Sequence, residues 1–202
     1  MGISHLLILF FRFGHQDSVS CITSGISCDF LTGGGRDGSV RLWRTTDEVQ
    51  LVFNHSQGAF IEVIDKINAE LFVTVSDKGQ ISLWSTRKKT PICHKWNAHG
   101  VDPINDSPRW ITAMAICHSS DLVATGSNDG FVRLWKVDQK SKSVSEVNQL
   151  EIVGFVNDLK FSRDGSFLMA AVGQEHRLGR WSRLKEAKNQ LICIPLKFEN
   201  DE

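Results

Sequence analysis

The sequence contains no tyrosine and only four prolines, and neither sign of charge predominates. Its 23 Lys and Arg residues balance its 23 Asp and Glu residues, so the formal net charge is zero. This balance excludes a protein that binds polyanions in bulk through excess positive charge, although it leaves room for a local basic patch. The five cysteines include no C-x-x-C pair, which argues against a zinc site or a disulfide framework.

Signals for membrane insertion and secretion are also weak. An apolar run covers residues 6–11, but it is far too short to span a bilayer. It has no basic segment before it and no small-residue cleavage site after it, as a signal peptide requires. We therefore expect no membrane partner, and we expect residues 1–12 to form an entering strand of atypical sequence.

Catalytic motifs are missing as well. The sequence has no H-E-x-x-H motif, nucleophile elbow or P-loop. Residues 33–38 match G-x-G-x-x-G, but SVRLW follows them with the alternation of a strand, whereas a dinucleotide site needs a helix there. We predict that the protein is not an enzyme, and that it has no cofactor, metal site or small-molecule substrate.

What the sequence does contain is a repeated ending. GRDGSVRLW (35–43), SDKGQISLW (76–84), SNDGFVRLW (127–135) and GQEHRLGRW (173–181) all finish on tryptophan. Apolar runs rich in β-forming residues precede each ending, and short turns between alternating runs are typical of hairpins. Each repeat therefore predicts a strand, a turn, a strand, a tight turn, a third strand and a more variable outer strand.

This pattern resembles the WD-repeat family, in which units of about 40–45 residues each build a four-stranded propeller blade. The resemblance implies an all-β fold, a WD-repeat β-propeller with about four blades present. Because the family has about seven, within the usual range for propellers, the chain is expected to form a partial ring. The predicted propeller segment is 13–202, with repeats at approximately 13–53, 54–97, 98–152 and 153–197.

The family's repeats are tied together by a hydrogen-bonded tetrad of His, Ser or Thr, Asp and Trp. Transferred position by position, the third repeat is complete, whereas Gly35 stands at the hydroxyl position of the first and Lys78 at the Asp position of the second. Buried polar groups must be satisfied, so we expect the second and fourth blades to be less rigidly tied. The resemblance implies these tetrad residues: His15, Asp37, Trp43, His55, Ser76, Trp84, His99, Ser127, Asp129, Trp135 and Trp181.

Binding residues are expected beside the tetrads, because the loops that carry the tetrad His and Asp lie on one face in the family. This places Arg36, Lys78, His176 and Arg177 as candidates for contact with RNA or a partner. An insertion at residues 100–110 adds Arg109 and Trp110. Arginine suits phosphate and stacks on bases, but surface Arg and Lys also simply solvate loop tips, and the insertion is equally consistent with a tolerated loop.

A narrower resemblance rests on VGFVNDLKFSRDGSFLMAAVGQEHRLGRW (153–181), together with FGHQDSV (13–19) and QLVFNHSQG (50–58). These segments resemble the WD-repeat proteins of the U3 small nucleolar ribonucleoprotein, over the C-terminal half of the family's members only. The resemblance implies a nucleolar ribonucleoprotein scaffold that binds the box B/C region of U3 snoRNA. Its implied partners are box C/D snoRNP and small-subunit processome proteins, in pre-rRNA processing.

The residues leave two alternatives open. One is a generic WD-repeat protein-interaction platform without RNA contact, and the other is a truncated, non-functional fragment. The QEHRLGRW ending distinguishes the first, because a generic platform has no need of it. A partial ring also leaves apolar flanks between blades uncovered, so we expect the isolated chain to aggregate or dimerise.

Overall fold

The computed structural model describes residues 13–24, 29–44, 49–55, 58–118 and 120–197. The entering strand expected over residues 1–12 and the side chain of Trp181 lie outside the described part. The named elements of the described part are 17 β-strands. No helix in the described ranges is long and apolar enough to cross a membrane.

Three sheets are four-stranded antiparallel meanders, in which each strand pairs with its neighbours in sequence. The first consists of β1 (Val19–Ser24), β2 (Asp29–Gly34), β3 (Ser39–Arg44) and β4 (Gln50–Asn54). The second consists of β5 (Ile61–Lys66), β6 (Leu71–Ser76), β7 (Ile81–Ser85) and β8 (Lys88–Lys95). The third consists of β9 (Ala113–Cys117), β10 (Leu122–Gly126), β11 (Phe131–Asp138) and β12 (Ser143–Glu151). The predicted all-β, blade-like fold is thus confirmed.

The fourth unit departs from the predicted order. Strands β13 (Phe155–Phe161), β14 (Phe167–Gly173) and β17 (Gln190–Pro195) form its sheet, while β15 (Glu175–His176) and β16 (Gly179–Arg183) form a separate hairpin. The prediction that the strand ending in Trp181 would be the third strand of this blade is therefore wrong.

Side-chain polarity explains why β17, and not β16, is the third strand of this sheet. Strand β17 supplies Ile192 and Ile194, which pack against the apolar cluster between the third and fourth sheets. Strand β16 instead carries Arg180 and Arg183, whose guanidinium groups lie 3.1 Å and 3.8 Å from carboxylate oxygens of Glu175. Burying β16 in the blade would remove these charges from water, whereas burying β17 covers apolar surface.

The sheets stack face to face in sequence order. The innermost strands contact one another from β1 to β5, β5 to β9 and β9 to β13. Apolar clusters fill the spaces between sheets: Leu31, Phe53 and Trp84 belong to the first space, and Val73, Ile111 and Trp135 to the second. The result is a partial propeller with a core between each pair of blades.

The turns that recur in the repeat endings lie at one end of the sheets. Since the strands are antiparallel, the turns at 35–38, 77–80 and 127–130 lie at the same end as the connection 96–112 and the hairpin region 174–183. We call this end the tetrad face. The turns between β3 and β4, β7 and β8, and β11 and β12 lie at the opposite end.

Candidate functional site

The first and third repeats each contain an unbroken chain of hydrogen bonds at the tetrad face. In the third, His99 Nδ1 donates to Asp129 Oδ1 at 2.9 Å, and Trp135 Nε1 donates to Thr125 Oγ1 at 2.7 Å. The Thr125 hydroxyl lies 2.8 Å from His99 Nε2 and donates to it, a tautomer assigned from the network. The first repeat has the same arrangement, with Thr32 as its hydroxyl.

The hydroxyl of each tetrad differs from the one expected from the sequence. Ser127 and Ser76 were the expected residues, but the tryptophan of each repeat donates to Thr125 and Thr74 instead. Thr125 lies opposite Arg133 and so shares a face with Trp135, whereas Ser127 lies beyond the end of β10. The Ser127 hydroxyl donates to the Trp110 carbonyl instead.

The same correction applies to the first repeat, where Gly35 does not leave the hydroxyl position empty. Thr32 fills it, so this tetrad is complete. A recurrent spacing in the sequence could have identified the tetrad threonines. The threonine precedes its tryptophan by 11 residues in the first repeat and by 10 in the second and third.

The second repeat has only part of this chain of hydrogen bonds. Trp84 Nε1 donates to Thr74 Oγ1 at 2.9 Å, but His55 Nε2 lies 3.2 Å from Ser82 Oγ. Burial, with a smaller effect of neighbouring His94, lowers the pKa of His55 to about 4. Asp77 accepts a hydrogen bond from the Phe60 backbone at 2.9 Å rather than one from the histidine.

The acids of the complete tetrads are held ionised by their hydrogen bonds. Burial by itself raises the pKa of Asp129, but hydrogen bonds from His99 and Arg133, together with the positive charge of Arg133, outweigh it and leave the pKa below its usual value. For Asp37, burial is likewise outweighed, by hydrogen bonds from the Ser39 backbone and the His15 ring, and the pKa is lowered. Each complete tetrad therefore carries a fixed negative charge beside its turn.

All six candidate binding residues lie at the tetrad face, but they are not equally available. Arg36 is exposed in its turn, and the Lys78 side chain is 53% exposed with Nζ 3.8 Å from Asp77 Oδ2. His176, by contrast, is only 4% exposed. Burial, and secondarily the charge of Arg177, lowers the pKa of His176 to about 4. The expectation that His176 lies open on this face is wrong, and at neutral pH it adds no positive charge.

Arg177 connects three sheets, although its side chain is 34% exposed. Its Nη1 donates to the carbonyls of Thr112 at 3.0 Å and Asn157 at 3.2 Å. Its Nη2 donates to Glu62 Oε2 at 3.0 Å, across 115 residues of sequence. The guanidinium thus joins β13 and the approach to β9 with β5, and its role in the described structure is first of all to hold these inner strands together.

The sequence did not reveal Glu62 as the partner of Arg177. The Glu62 side chain is 1% exposed. Burial raises its pKa to about 7, although the charge of Arg177 and a side-chain hydrogen bond from Trp110 act in the opposite direction. A single glutamate in a strand gives no sequence signal for a contact with a residue so distant along the chain.

The insertion is an ordered part of the tetrad face. The Trp110 ring stacks on His176 with centroids 4.4 Å apart and an interplanar angle of 28°. Arg109 Nη1 lies 3.3 Å from Asn128 Oδ1. The insertion also packs on the turn of the second repeat, because a Cβ on Gly79 (φ +63°) would lie 2.7 Å from the Arg109 carbonyl oxygen. The structure therefore brings Arg109, Trp110, His176 and Arg177 together, with Arg36 and Lys78 on separate turns of the same face.

Metal binding finds no support in the described residues, among which no group of three or more His, Cys, Asp or Glu side chains could hold an ion.

Comparisons with known proteins agree with this geometry. The family model described as "WD domain, G-beta repeat" matches residues 7–44 and 92–136. A solved structure titled "Crystal structure of RRP9 WD40 repeats" superposes with a TM-score of 0.87 at 45% identity, covering 92% of this chain and 56% of that one. The chain contains WD repeats and has the fold of a WD-repeat propeller over its described residues.

The curated relatives of this WD-repeat chain are named after the U3 particle. U3 small nucleolar RNA-interacting protein 2 of Homo sapiens is 45% identical over 74% of this chain and 32% of the relative. The U3 snoRNP-associated protein-like EMB2271 of Arabidopsis thaliana is 37% identical over 92% of this chain and 40% of the relative. Ribosomal RNA-processing protein 9 of Saccharomyces cerevisiae is 26% identical over 84% of this chain. The chain spans about a third of the length of the human relative and two fifths of that of the Arabidopsis relative.

Proposed function

We propose that this WD-repeat chain is a non-enzymatic ribonucleoprotein scaffold that contacts U3 snoRNA in its box B/C region. Its partners are box C/D snoRNP and small-subunit processome proteins, and it acts in pre-rRNA processing in the nucleolus. The proposal is supported by relatives whose names refer to U3 RNA and ribosomal RNA processing. Because the chain covers only part of those proteins, each of these activities is a proposal for this chain.

The observation that carries the proposal is the composition of the tetrad face. On a chain with no net charge, this one end presents Arg36, Lys78 and Arg109 on rigid turns and adds aromatic rings beside them. Arginine and lysine bind phosphate oxygens, and aromatic rings stack on unpaired bases. Exposed cations beside an aromatic ring, next to the acids Asp37, Asp77 and Asp129 of the same face, suit selective contacts to a folded RNA by a protein without bulk positive charge.

Arg36 and Lys78 offer the clearest test, since their side chains are exposed. Arg177 is a poor choice for it, because its loss also breaks contacts to Thr112, Asn157 and Glu62. The matched control is the pair Arg87 and Lys88, which lies at the opposite end of the second sheet, between β7 and β8.

The experiment measures binding of a box B/C RNA as the salt concentration is varied. We expect the Arg36→Ala/Lys78→Ala double variant to bind more weakly, with a slope of log K against log salt that is shallower by roughly one to two. The Arg87→Ala/Lys88→Ala control should leave both affinity and slope unchanged. If both double variants changed RNA affinity and its salt dependence equally, the tetrad face would not be the RNA site.

Crosslinking and immunoprecipitation of the chain, followed by sequencing of the bound RNA, distinguishes the alternatives. Enrichment of U3 RNA supports the proposed function. Recovery of protein partners without U3 RNA would instead identify a generic interaction platform, and recovery of neither would identify a fragment without function.

A further inference from the structure

A cavity of about 320 Å³ opens at the tetrad face between the insertion and the fourth blade. Four separate segments line it: the connection that leads into β9, the turn between β10 and β11, the start of β13 and the hairpin β15–β16. Its volume is at the lower end of the range for small-ligand sites, so it has room for one planar group of the size of a base with its sugar.

Aromatic rings form one side of the cavity. Trp110 and His176 are stacked on each other, and Phe155 meets the His176 ring edge-on with centroids 6.3 Å apart. All three residues line the cavity. Phe155 and His176 are each 4% exposed, whereas Trp110 is half-buried. A flat group entering here therefore stacks on the outer face of the Trp110 ring, which His176 supports from behind.

Polar groups form most of the remaining lining, including Asp102, Asn105, Thr112, Asn128 and Ser182. Asp102, Asn105 and Asn128 each accept a hydrogen bond within the protein through Oδ1. An aliphatic side chain would still remove their remaining polar atoms from water, which is costly. A nucleobase has a flat apolar face for the rings and a polar edge for these groups. The lining therefore favours a base over an apolar protein side chain.

Arg109 supplies the charge that a nucleotide needs. Its guanidinium lines the cavity, where Asn128 holds it through the backbone carbonyl and the side-chain oxygen, 3.4 Å and 3.3 Å from Nη1. A phosphate attached to the bound nucleotide lies naturally near such a group, because arginine binds phosphate through a planar fork of donors. Base and phosphate then each have a matching part of the site.

We infer that this cavity binds one unstacked base of single-stranded RNA, with Trp110 as the stacking ring, His176 and Phe155 as its support and Arg109 as its phosphate contact. The inference rests on the proposed function and makes it more specific, because it names the part of an RNA that this face accepts. It assigns the insertion a recognition role, rather than that of a tolerated loop.

The direct test uses the full chain, labelled with ¹⁵N, and follows the indole N–H resonance of Trp110. The probes are the 5′-monophosphates of adenosine, guanosine, cytidine and uridine, with ribose 5-phosphate as the probe that lacks a base. We expect the nucleotides to shift the Trp110 resonance in a saturable way and ribose 5-phosphate to leave it in place. An equal response to ribose 5-phosphate would overturn the inference, because the site would then recognise phosphate alone.

A blocking variant provides the second measurement. Ser182 is exposed and lines the cavity, so Ser182→Leu narrows it without adding a ring on which a base can stack. Ser143→Leu, at an exposed position at the start of β12 and at the opposite end of the third sheet, is the matched control. We expect Ser182→Leu to weaken nucleotide binding roughly tenfold or more, as loss of one base stack does, and the control to leave it unchanged. Unchanged binding in Ser182→Leu would overturn the inference.

Retention of U3 RNA separates this inference from the function on which it rests. If the unaltered chain and Ser182→Leu retain U3 RNA equally, the proposed function stands and the base site is refuted. If the unaltered chain retains no U3 RNA but binds nucleotides at Trp110, the proposed function fails and the site survives. If Ser182→Leu loses a protein partner and keeps nucleotide binding, the cavity accepts a protein side chain, and the inference is overturned.

Discussion

The smallest stabilising units of this molecule are the His–Thr–Trp chains that end on a turn aspartate. Thr125 accepts a hydrogen bond from Trp135 and donates one to His99, so one hydroxyl satisfies two buried rings. His99, Thr125 and Trp135 are each 1% exposed or less, so no water can replace the hydroxyl. Leaving a buried polar group without a partner costs about 1–3 kcal/mol, which makes the hydroxyl more valuable than an average hydrogen bond.

This argument predicts the effect of Thr125→Val, which keeps the shape of the side chain and removes the hydroxyl. We expect the free energy of unfolding to fall by about 2–4 kcal/mol, because Trp135 Nε1 and His99 Nε2 both lose their partner. Urea unfolding at one fixed protein concentration measures the change. Ser127→Ala is the control: it loses a single bond to the Trp110 carbonyl and should cost about 1 kcal/mol. A larger cost for Ser127→Ala than for Thr125→Val would contradict the assignment of the tetrad hydroxyl.

Individual residues differ in how far the sequence alone could place them. The histidines, turn aspartates and tryptophans of the first and third repeats stand at fixed positions of a repeated pattern, and the structure places them in hydrogen-bonded chains. The hydroxyl was misplaced by two residues in the second and third repeats, because positions two apart in a strand share a face and pattern alone does not choose between them. In the first repeat it was misplaced by three, from Gly35 to Thr32. Glu62 could not be found, since its contact to Arg177 depends on how blades two and four are arranged in space.

At the scale of elements, the inner strands are tied together by a buried ion pair as well as by apolar packing. Glu62 on β5 and Arg177 after β15 join the second and fourth units, and the Thr112 carbonyl ahead of β9 adds the third. Charges taken out of water are costly even when paired, and the raised pKa of Glu62 reports that cost. The connection is therefore sensitive to pH near neutrality.

The folded-state pKa of Glu62, about 7, lies above the value of 4.5 for an unperturbed glutamate. The folded state holds the proton more tightly than the unfolded state, so its stabilising contribution is complete below pH 4.5 and is lost as the pH rises to about 7. We expect the difference in unfolding free energy between the natural chain and Glu62→Gln to change by about 3 kcal/mol across this window. Urea unfolding at a series of pH values measures it, and Glu146→Gln, in the more exposed pair with Arg133, is the control. The same pH dependence in both variants would show that Glu62 is not its source.

The sequence predicted strands correctly where apolar and polar residues alternate regularly. It failed in the fourth repeat, where a charged segment stands at the position of an apolar strand. The three regular blades follow from strand and turn signals, and the structure contains all their strands as meanders. The hairpin β15–β16 was predicted as part of a blade, because its final tryptophan matches the repeat ending. Its charged residues and the apolar β17 decide otherwise, which is a competition between segments that a local pattern does not evaluate.

At the scale of the whole molecule, the outer blades have less of their own surface buried than the inner ones. Strands β6, β7 and β9 are buried along their full length, because sheets pack on both of their faces. Strands β1 and β17 alternate between exposed and half-buried residues and have no fully buried position. The flanks of the partial propeller therefore present apolar side chains that an adjoining blade covers in a longer propeller.

Ile22 on β1 is 68% exposed and Leu191 on β17 is 67% exposed, so both flanks of the described part of the chain carry exposed apolar side chains. Exposed patches and strand edges of this kind promote association, and we expect the isolated chain to dimerise or form larger species in sedimentation velocity. Ile22→Lys should shift the distribution towards monomer, because association would then bury a charge on the first flank. Ile104→Lys is the matched control, since Ile104 is 93% exposed in the insertion and lies away from both flanks. A monodisperse monomer that unfolds in one cooperative calorimetric transition would show that the partial propeller is stable without covering its flanks.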